Sequence, residues 1–228
     1  MQVRNIEVRA NKPPISFDIE EKGCFVICSK QDDETSLLLR KLYGLDVLGN
    51  SESVIHDQSD TSVKVKEFGY FFKRGLLLSN LTLAENIALP YRYFCPECNW
   101  ADYESRINWW MDFFKMDIDL SNRPANVNHS LQKLVAYLRN LILEPDICFI
   151  DDPYFQLSYV FRKKLVDCLR FLKEHNKILI IGTSDLDLIE LFADNVVIME
   201  KGEIIGKYQF SNDKRDASIQ AVREYLDE

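Results

Sequence analysis

Residues 25–45, FVICSKQDDETSLLLRKLYGL, constrain this chain more than any other stretch, because they spell a strand, a tight turn and a helix in immediate succession. Phe25 to Cys28 form a short apolar run of the buried-strand type, and Leu37, Leu38, Leu39, Leu42 and Tyr43 fit the inner face of a helix. Ser36 or Thr35 is placed to cap that helix and Gly44 to end it. A strand feeding a helix through a turn is the frame of a phosphate-binding loop, in which backbone N–H groups and a helix N-terminus hold an anion.

The turn itself opposes that use. The frame calls for GxxxxGK[ST], and the residues standing there are Ser29, Lys30, Gln31, Asp32, Asp33, Glu34, Thr35 and Ser36. Both glycines are absent, so the backbone loses the φ > 0 freedom needed to wrap a phosphate closely. Thr35 stands at the lysine position. The carboxylates of Asp32, Asp33 and Glu34 would face a polyphosphate, and one like-charge pair at 4 Å costs about 4 kcal/mol at an effective dielectric near 20. Acids at a helix N-terminus are instead favourable by roughly 0.3–1 kcal/mol each. Two readings follow: one of the three carboxylates occupies the place of a phosphate, capping the helix and plugging the site, or the three form an ordinary acidic surface turn.

A chain of 228 residues with 46% hydrophobic content supports one large domain with a sizeable core. The net charge of −8, from 28 basic and 36 acidic residues, argues against nucleic acid or an anionic lipid surface as the main partner. No run approaches the eighteen apolar residues of a membrane span, and MQVRNIEVRA lacks an apolar signal core, so a cytoplasmic location is expected. The cysteines are then expected to be reduced. Cys24, Cys28, Cys148 and Cys168 lie in apolar runs and read as core packing, whereas Cys95 and Cys98 form a lone CxxC. His56, His129 and His175 are too scattered to complete a zinc site around it, so no metal is expected.

In chain order, residues 2–8 and 15–20 alternate as strands of an antiparallel pair turning at Asn11 to Pro14, and 53–56 and 62–66 are short strand candidates. Thr82 is placed to cap a helix through Ala84, Ile87 and Ala88 that ends before Pro90. Helical patterns recur at 101–116 and 128–143, making 80–143 the expected helical subdomain. Strands at 146–150, 177–182, 194–199 and 203–209 then alternate with helices at 156–174, 185–192 and 215–227, which indicates a parallel sheet with crossover helices.

From residue 25 to about 207 the chain resembles the nucleotide-binding subunit of an ATP-binding cassette (ABC) transporter. The resemblance rests on LYGL (42–45), LTLAENIALPYRY (81–93), RPANVNHSLQKLVAYLRNLILEPDICFIDDP (123–153) and DLDLIELFADNVVIMEKGEIIG (185–206). It implies an α/β, P-loop NTPase-like nucleotide-binding domain over 1–228, with a mixed sheet and the helical subdomain inserted at 80–143. It also implies what each functional position should hold. The phosphate-loop lysine is replaced by Thr35, while the hydroxyl that holds Mg²⁺ survives as Ser36. The Q-loop glutamine is replaced by Lys73, and the LSGGQ signature reads Val127, Asn128, His129, Ser130, Leu131. The Walker B aspartate survives as Asp151, but the catalytic glutamate is Asp152, one methylene shorter, and a misplacement of about 1 Å in a positioned base can cost on the order of a hundredfold. The D-loop position is Ser158, the switch histidine is Ser184, and the loop around Ala10 offers no aromatic for adenine.

Phosphoryl transfer is almost entirely positioning and charge stabilisation, so losing these groups together implies a catalytically inactive pseudo-ATPase with neither ATP nor Mg²⁺ expected. Ser36 and Asp151 can bond each other without any metal. Because subunits of the family pair so that each site joins one chain's phosphate loop to the other's signature, a chain lacking both would damage both sites of a mixed dimer. What is kept is the core and the groove near Lys73 and Leu81–Pro90 that receives the membrane subunit, so the resemblance implies a homo- or heterodimeric structural or regulatory subunit, peripheral at the inner face of the membrane. The alternatives are an ATP-binding or weakly hydrolysing subunit whose site is rebuilt with Lys30 or Lys73, and a soluble interaction module attached to no transporter.

Overall fold

The computed structural model describes residues 4–8, 15–19, 23–45, 53–56, 68–94, 97, 99–211 and 213–227. The expected strand at 62–66, the turn at 11–14, the loop at Ala10 and the cysteines of the CxxC lie outside the described residues. Strands β1 (Arg4–Val8) and β2 (Ile15–Ile19) form the expected antiparallel pair, and β4 (Ser53–His56) adds to the other edge of β1.

The second sheet is built around β3 (Gly23–Cys28), a run buried on both faces as parallel sheets require. It pairs in parallel with β7 (Ile178–Gly182) on one side and β8 (Asn195–Glu200) on the other. Beyond β7 lie β6 (Ile147–Asp151) and β5 (Phe68–Phe71), also parallel, and β9 (Glu203–Gln209) closes the far edge antiparallel to β8, giving the order β5-β6-β7-β3-β8-β9. This is the expected mixed sheet, with one strand, β5, that was not among the expected strands. Helix α1 (Asp32–Tyr43) packs Leu38, Leu39 and Leu42 on one face of the sheet against Phe25, Ile27, Phe149 and Ile180. The other face forms a single core with α2 (Leu83–Phe94), α3 (Trp100–Phe113), α4 (His129–Leu141) and α5 (Tyr159–Glu174). Helices α6 (Leu186–Phe192) and α7 (Arg215–Asp227) complete the chain, α7 burying Ser218 and Val222.

Two helix boundaries differ from the expectation. Helix α1 starts at Asp32, so neither Thr35 nor Ser36 caps it; both lie buried inside its second turn, and Gln31 precedes it without a side-chain cap. Its first turn closes through Glu34 N–H to the Gln31 carbonyl at 3.0 Å. Gly44 ends the helix as expected, at φ 85°, with its own and Leu45's N–H bonded to Lys41 and Arg40 carbonyls. Helix α2 is capped by Thr82 as expected, in a reciprocal box with Glu85, but it runs through Pro90 to Phe94. Leu83, Ile87 and Tyr91 form one buried stripe at four-residue spacing across the proline, and that burial offsets the one backbone bond Pro90 cannot make.

Asn86 ties this helix to the segment after β5. Its side chain accepts from Leu78 N–H at 2.7 Å and donates to the Leu78 and Thr82 carbonyls at 3.0 and 2.9 Å. Cys24, Cys28, Cys148 and Cys168 are buried free thiols, and burial pushes Cys28 and Cys148 up to about 12, so they are packing groups and not nucleophiles.

One buried polar atom, the Tyr137 hydroxyl on α4, has no hydrogen-bond partner among the described residues. Tyr137→Phe removes that desolvated group while keeping the ring against Phe71 at 4.8 Å, so the variant is as stable as the native chain or more stable by about 1–3 kcal/mol in chemical denaturation. A loss of stability would show that the hydroxyl is satisfied.

Candidate nucleotide-binding site

The end of β6 and the start of α1 meet where the sequence placed a Walker B aspartate and a Mg²⁺-binding hydroxyl. Ser36 Oγ donates to Asp151 Oδ1 at 2.6 Å and Tyr70 Oη donates to Asp151 Oδ2 at 3.4 Å, with both Ser36 and Asp151 buried. Burial raises the Asp151 carboxyl above the usual carboxylate range, helped by Asp152; the Ser36 bond and the Lys73 ammonium pull it down. Asp152 leaves β6 with φ 36°, and its carboxylate pairs with Lys73 Nζ at 3.3 Å. Lys73 also lies 4.7 Å from the centre of the Phe155 ring, a cation–π contact. An open hollow of about 420 Å³ between these elements is lined by Asp33, Ser36, Arg40, Lys73, Arg74 and Asp151, among others.

The strand-to-helix turn is shorter than a phosphate-binding frame. Only Ser29, Lys30 and Gln31 separate β3 from α1, and the positions of Asp32, Asp33 and Glu34 are wound into the helix. Asp33 is exposed. The Glu34 carboxylate accepts from Ser29 Oγ at 2.5 Å and from the Gly202 N–H in the β8–β9 hairpin. Glu34 therefore ties the turn to a neighbouring hairpin and takes no N–H of the helix end, so of the three carboxylates it is not the one that caps α1; the Asp32 side chain lies outside the described residues. Lys30 points the other way: its ammonium lies 4.6 Å from the Tyr225 ring of α7, whose hydroxyl donates to the Met199 carbonyl at 2.9 Å. Of the two lysines expected to replace the missing one, only Lys73 lines the hollow.

The signature positions hold structural roles. Asn128 caps α4 by accepting from Leu131 N–H at 2.9 Å, and Ser130 Oγ accepts from the Ser158 N–H at 3.2 Å, which joins signature and D-loop positions within one chain. Val127 and Leu131 are half-buried against the core, His129 is exposed, and Ser184 is exposed just beyond β7.

Lys133 was not singled out by sequence, yet it is the most unusual group here. It is 3% exposed and donates to the Asp152 and Phe155 carbonyls at 2.9 and 3.1 Å. Burial pushes its ammonium down to about 7, against the pull of Asp152 and Asp151. The signal was present: Lys133, Tyr137 and Leu141 share one four-residue stripe, and a lysine on an apolar stripe marks a buried charge. Gly75 lets the Lys73 loop approach α4 closely, since a Cβ there would lie 2.7 Å from the Lys133 Cα. Among the described residues, no group of three or more His, Cys, Asp or Glu side chains is arranged to hold a metal ion.

Because the Asp151 carboxyl sits above its unfolded value, it adds stability while protonated, below pH about 4, and that contribution is lost as pH rises through the folded value. Asp151→Asn is therefore at least as stable as the native chain at pH 7 and loses its advantage in acid, whereas Ser36→Ala is destabilised at pH 7; denaturation series at both pH values check the pair.

No protein-family model matches the chain. It is 26% identical over 195 residues to the sulfate/thiosulfate import ATP-binding protein CysA 2 of Agrobacterium fabrum, covering 84% of this chain and 57% of that protein. It is also 26% identical over 226 residues to the trimethylamine N-oxide transport system ATP-binding protein TmoW of Pelagibacter ubique, covering 93% and 64%. The chain thus spans somewhat more than half the length of these relatives. Its fold superimposes on an ATP-binding subunit of an ABC transporter with a TM-score of 0.79 at 18% identity, each chain covered in full. A dimeric ATP-binding cassette, MJ0796 bound to ADP and Pi, gives 0.72 at 17% identity, covering 93% of this chain and all of that one. The chain is a homologue of the ATP-binding subunits of ABC transporters and has the fold of their nucleotide-binding domain.

Proposed function

We propose that this chain is a non-hydrolysing subunit of an ABC-transporter-type complex, one that supports or regulates a membrane-spanning partner without binding nucleotide. The observation that carries this reading is the shortened turn after β3, in which the residues that would cradle a phosphate form the first turn of α1 and bring Asp33 and Glu34 with them. Nothing in that turn replaces the lysine charge, because Lys30 stacks on Tyr225. The residues present do not fit a Mg-nucleotide: the Ser36 hydroxyl is spent on Asp151, and Asp152 is held by Lys73. The partner is proposed by analogy with the relatives, whose names mark one as an import ATP-binding protein and the other as the ATP-binding protein of a transport system. The surface for it is the groove near Lys73 and Leu81–Pro90, a stretch of chain in which Leu76, Leu78, Leu89 and Tyr93 are exposed.

A second reading is favoured by one contact. Lys73 lies beside Asp152 and lines the same hollow as Ser36 and Asp151, so a nucleotide could recruit it as a substitute cation.

Calorimetric titration with millimolar Mg-ATP decides between the two. The proposed reading expects no saturable heat from the native chain and none from Thr35→Lys, since a lysine alone does not restore the turn. Saturable binding that Lys73→Ala abolishes overturns it and establishes the rebuilt site. Separately, Leu76→Glu with Leu78→Glu is expected to lower co-purification of a membrane protein by about tenfold or more, as charge in a buried interface core does, while leaving thermal stability within about 1 kcal/mol.

A further inference from the structure

A second, smaller hollow of about 210 Å³ adjoins the first across Lys73 and Phe155. It is walled by Lys73, Arg74 and Gly75 on the β5–α2 segment, by His129, Gln132 and Lys133 on α4, and by the chain at 155–156. No carboxylate lines it, although the chain carries a net charge of −8. Lys73, Arg74, the Lys133 amine and a histidine therefore converge on one cavity of an acidic protein.

The charges are unevenly satisfied. Lys73 has the Asp152 carboxylate at 3.3 Å. Arg74 is exposed and lies 5.6 Å from the Phe155 ring, a contact that leaves its guanidinium donors available. The Lys133 ammonium is buried against two main-chain carbonyls, neutral acceptors that offset little of the cost of burying a full charge, and its third N–H has no partner among the described residues. An anion in the hollow would supply the missing acceptor and the missing charge together.

We propose that this hollow is a binding site for a small oxyanion of sulfate or phosphate size, held by Lys133, Arg74 and Gln132 with Lys73 at its edge. Its volume falls below the roughly 300–1,000 Å³ of pockets that bury larger organic ligands, so a nucleoside is excluded. A bound oxyanion bridges α4, the Lys73–Gly75 segment and the turn after β6, of which the Lys133 bonds join α4 to the turn and the Lys73–Asp152 pair joins the segment to it. The site is independent of whether the neighbouring hollow accepts nucleotide.

Proton linkage gives the site a signature. The charged groups facing Lys133 are Asp151 and Asp152 after β6, Lys73 on the β5–α2 segment and Arg162 on α5. With its ammonium at about 7, Lys133 is partly deprotonated at neutral pH, and an anion that prefers the protonated form takes up a proton on binding. Affinity accordingly falls as pH rises through neutrality.

Sulfate is the suitable probe, because its charge is constant across that range. Calorimetry at pH 6 and pH 8, with chloride at matched ionic strength as control, is expected to show saturable sulfate binding that weakens at the higher pH. Lys133→Met is expected to weaken binding by about tenfold or more and to reduce the pH dependence, His129 in the same wall leaving a residual part. Should Lys133→Met not fold, the exposed Arg74→Ala variant carries the test, with a severalfold loss expected. Equal heats from chloride, unchanged affinity in the folded variants, or displacement of sulfate by ATP at micromolar concentration would each overturn the site. ATP binding that leaves sulfate binding and its Lys133 dependence intact would bear only on the nucleotide question.

Discussion

Burial of β3 on both faces and along both edges is the constraint on which the other elements depend. Parallel neighbours satisfy its backbone groups, so β7 and β8 must lie beside it and their connections must cross over as helices. That arrangement brings the end of β6 and the start of α1 to the same edge of the sheet, which is why Ser36 and Asp151 meet although they are 115 residues apart. The hydrogen bond between them is a consequence of topology, and a metal is not needed to explain it.

Electrostatics then separates this chain from the frame it resembles. An acidic helix start is stable on its own terms, because carboxylates at an N-terminus complement the helix dipole. The same carboxylates oppose a polyphosphate. Local helix stability and anion binding at this position are therefore in conflict, and the early start of α1 at Asp32 follows the first of them. The cations that a phosphate would have required lie elsewhere: Lys73 is paired with Asp152, Lys30 is stacked on Tyr225, and Lys133 is buried between two carbonyls.

Several positions that resemble functional motifs have hydrogen-bond partners within the chain. Asn128 caps α4, Ser130 anchors the Ser158 backbone, and Glu34 links the turn after β3 to the β8–β9 hairpin. Each uses a polar or charged side chain near a helix end, where unsatisfied N–H groups or a nearby turn supply partners. Four buried thiols with raised pKa values and a continuous apolar core fit the same picture of a molecule organised for packing.

Sequence by itself determined the strand and helix order after residue 145, the role of Thr82 and the stop at Gly44, because these rest on periodicity and on capping chemistry that act within a few residues. It also determined the fold class, through stretches that agree in order and spacing. It misplaced the start of α1, whose cap lies at Gln31 and not at Thr35 or Ser36, because the acidic residues that oppose a phosphate also favour a helix start, and the end of α2, because the passage through Pro90 is decided by packing and not by local preference. Only the tertiary structure decided which lysine reaches the hollow, that Glu34 reaches Gly202, and that Lys133 is buried beside Asp152. Those contacts join residues from 19 to 168 positions apart, and no local pattern encodes the distance between two side chains that meet only when the sheet is formed.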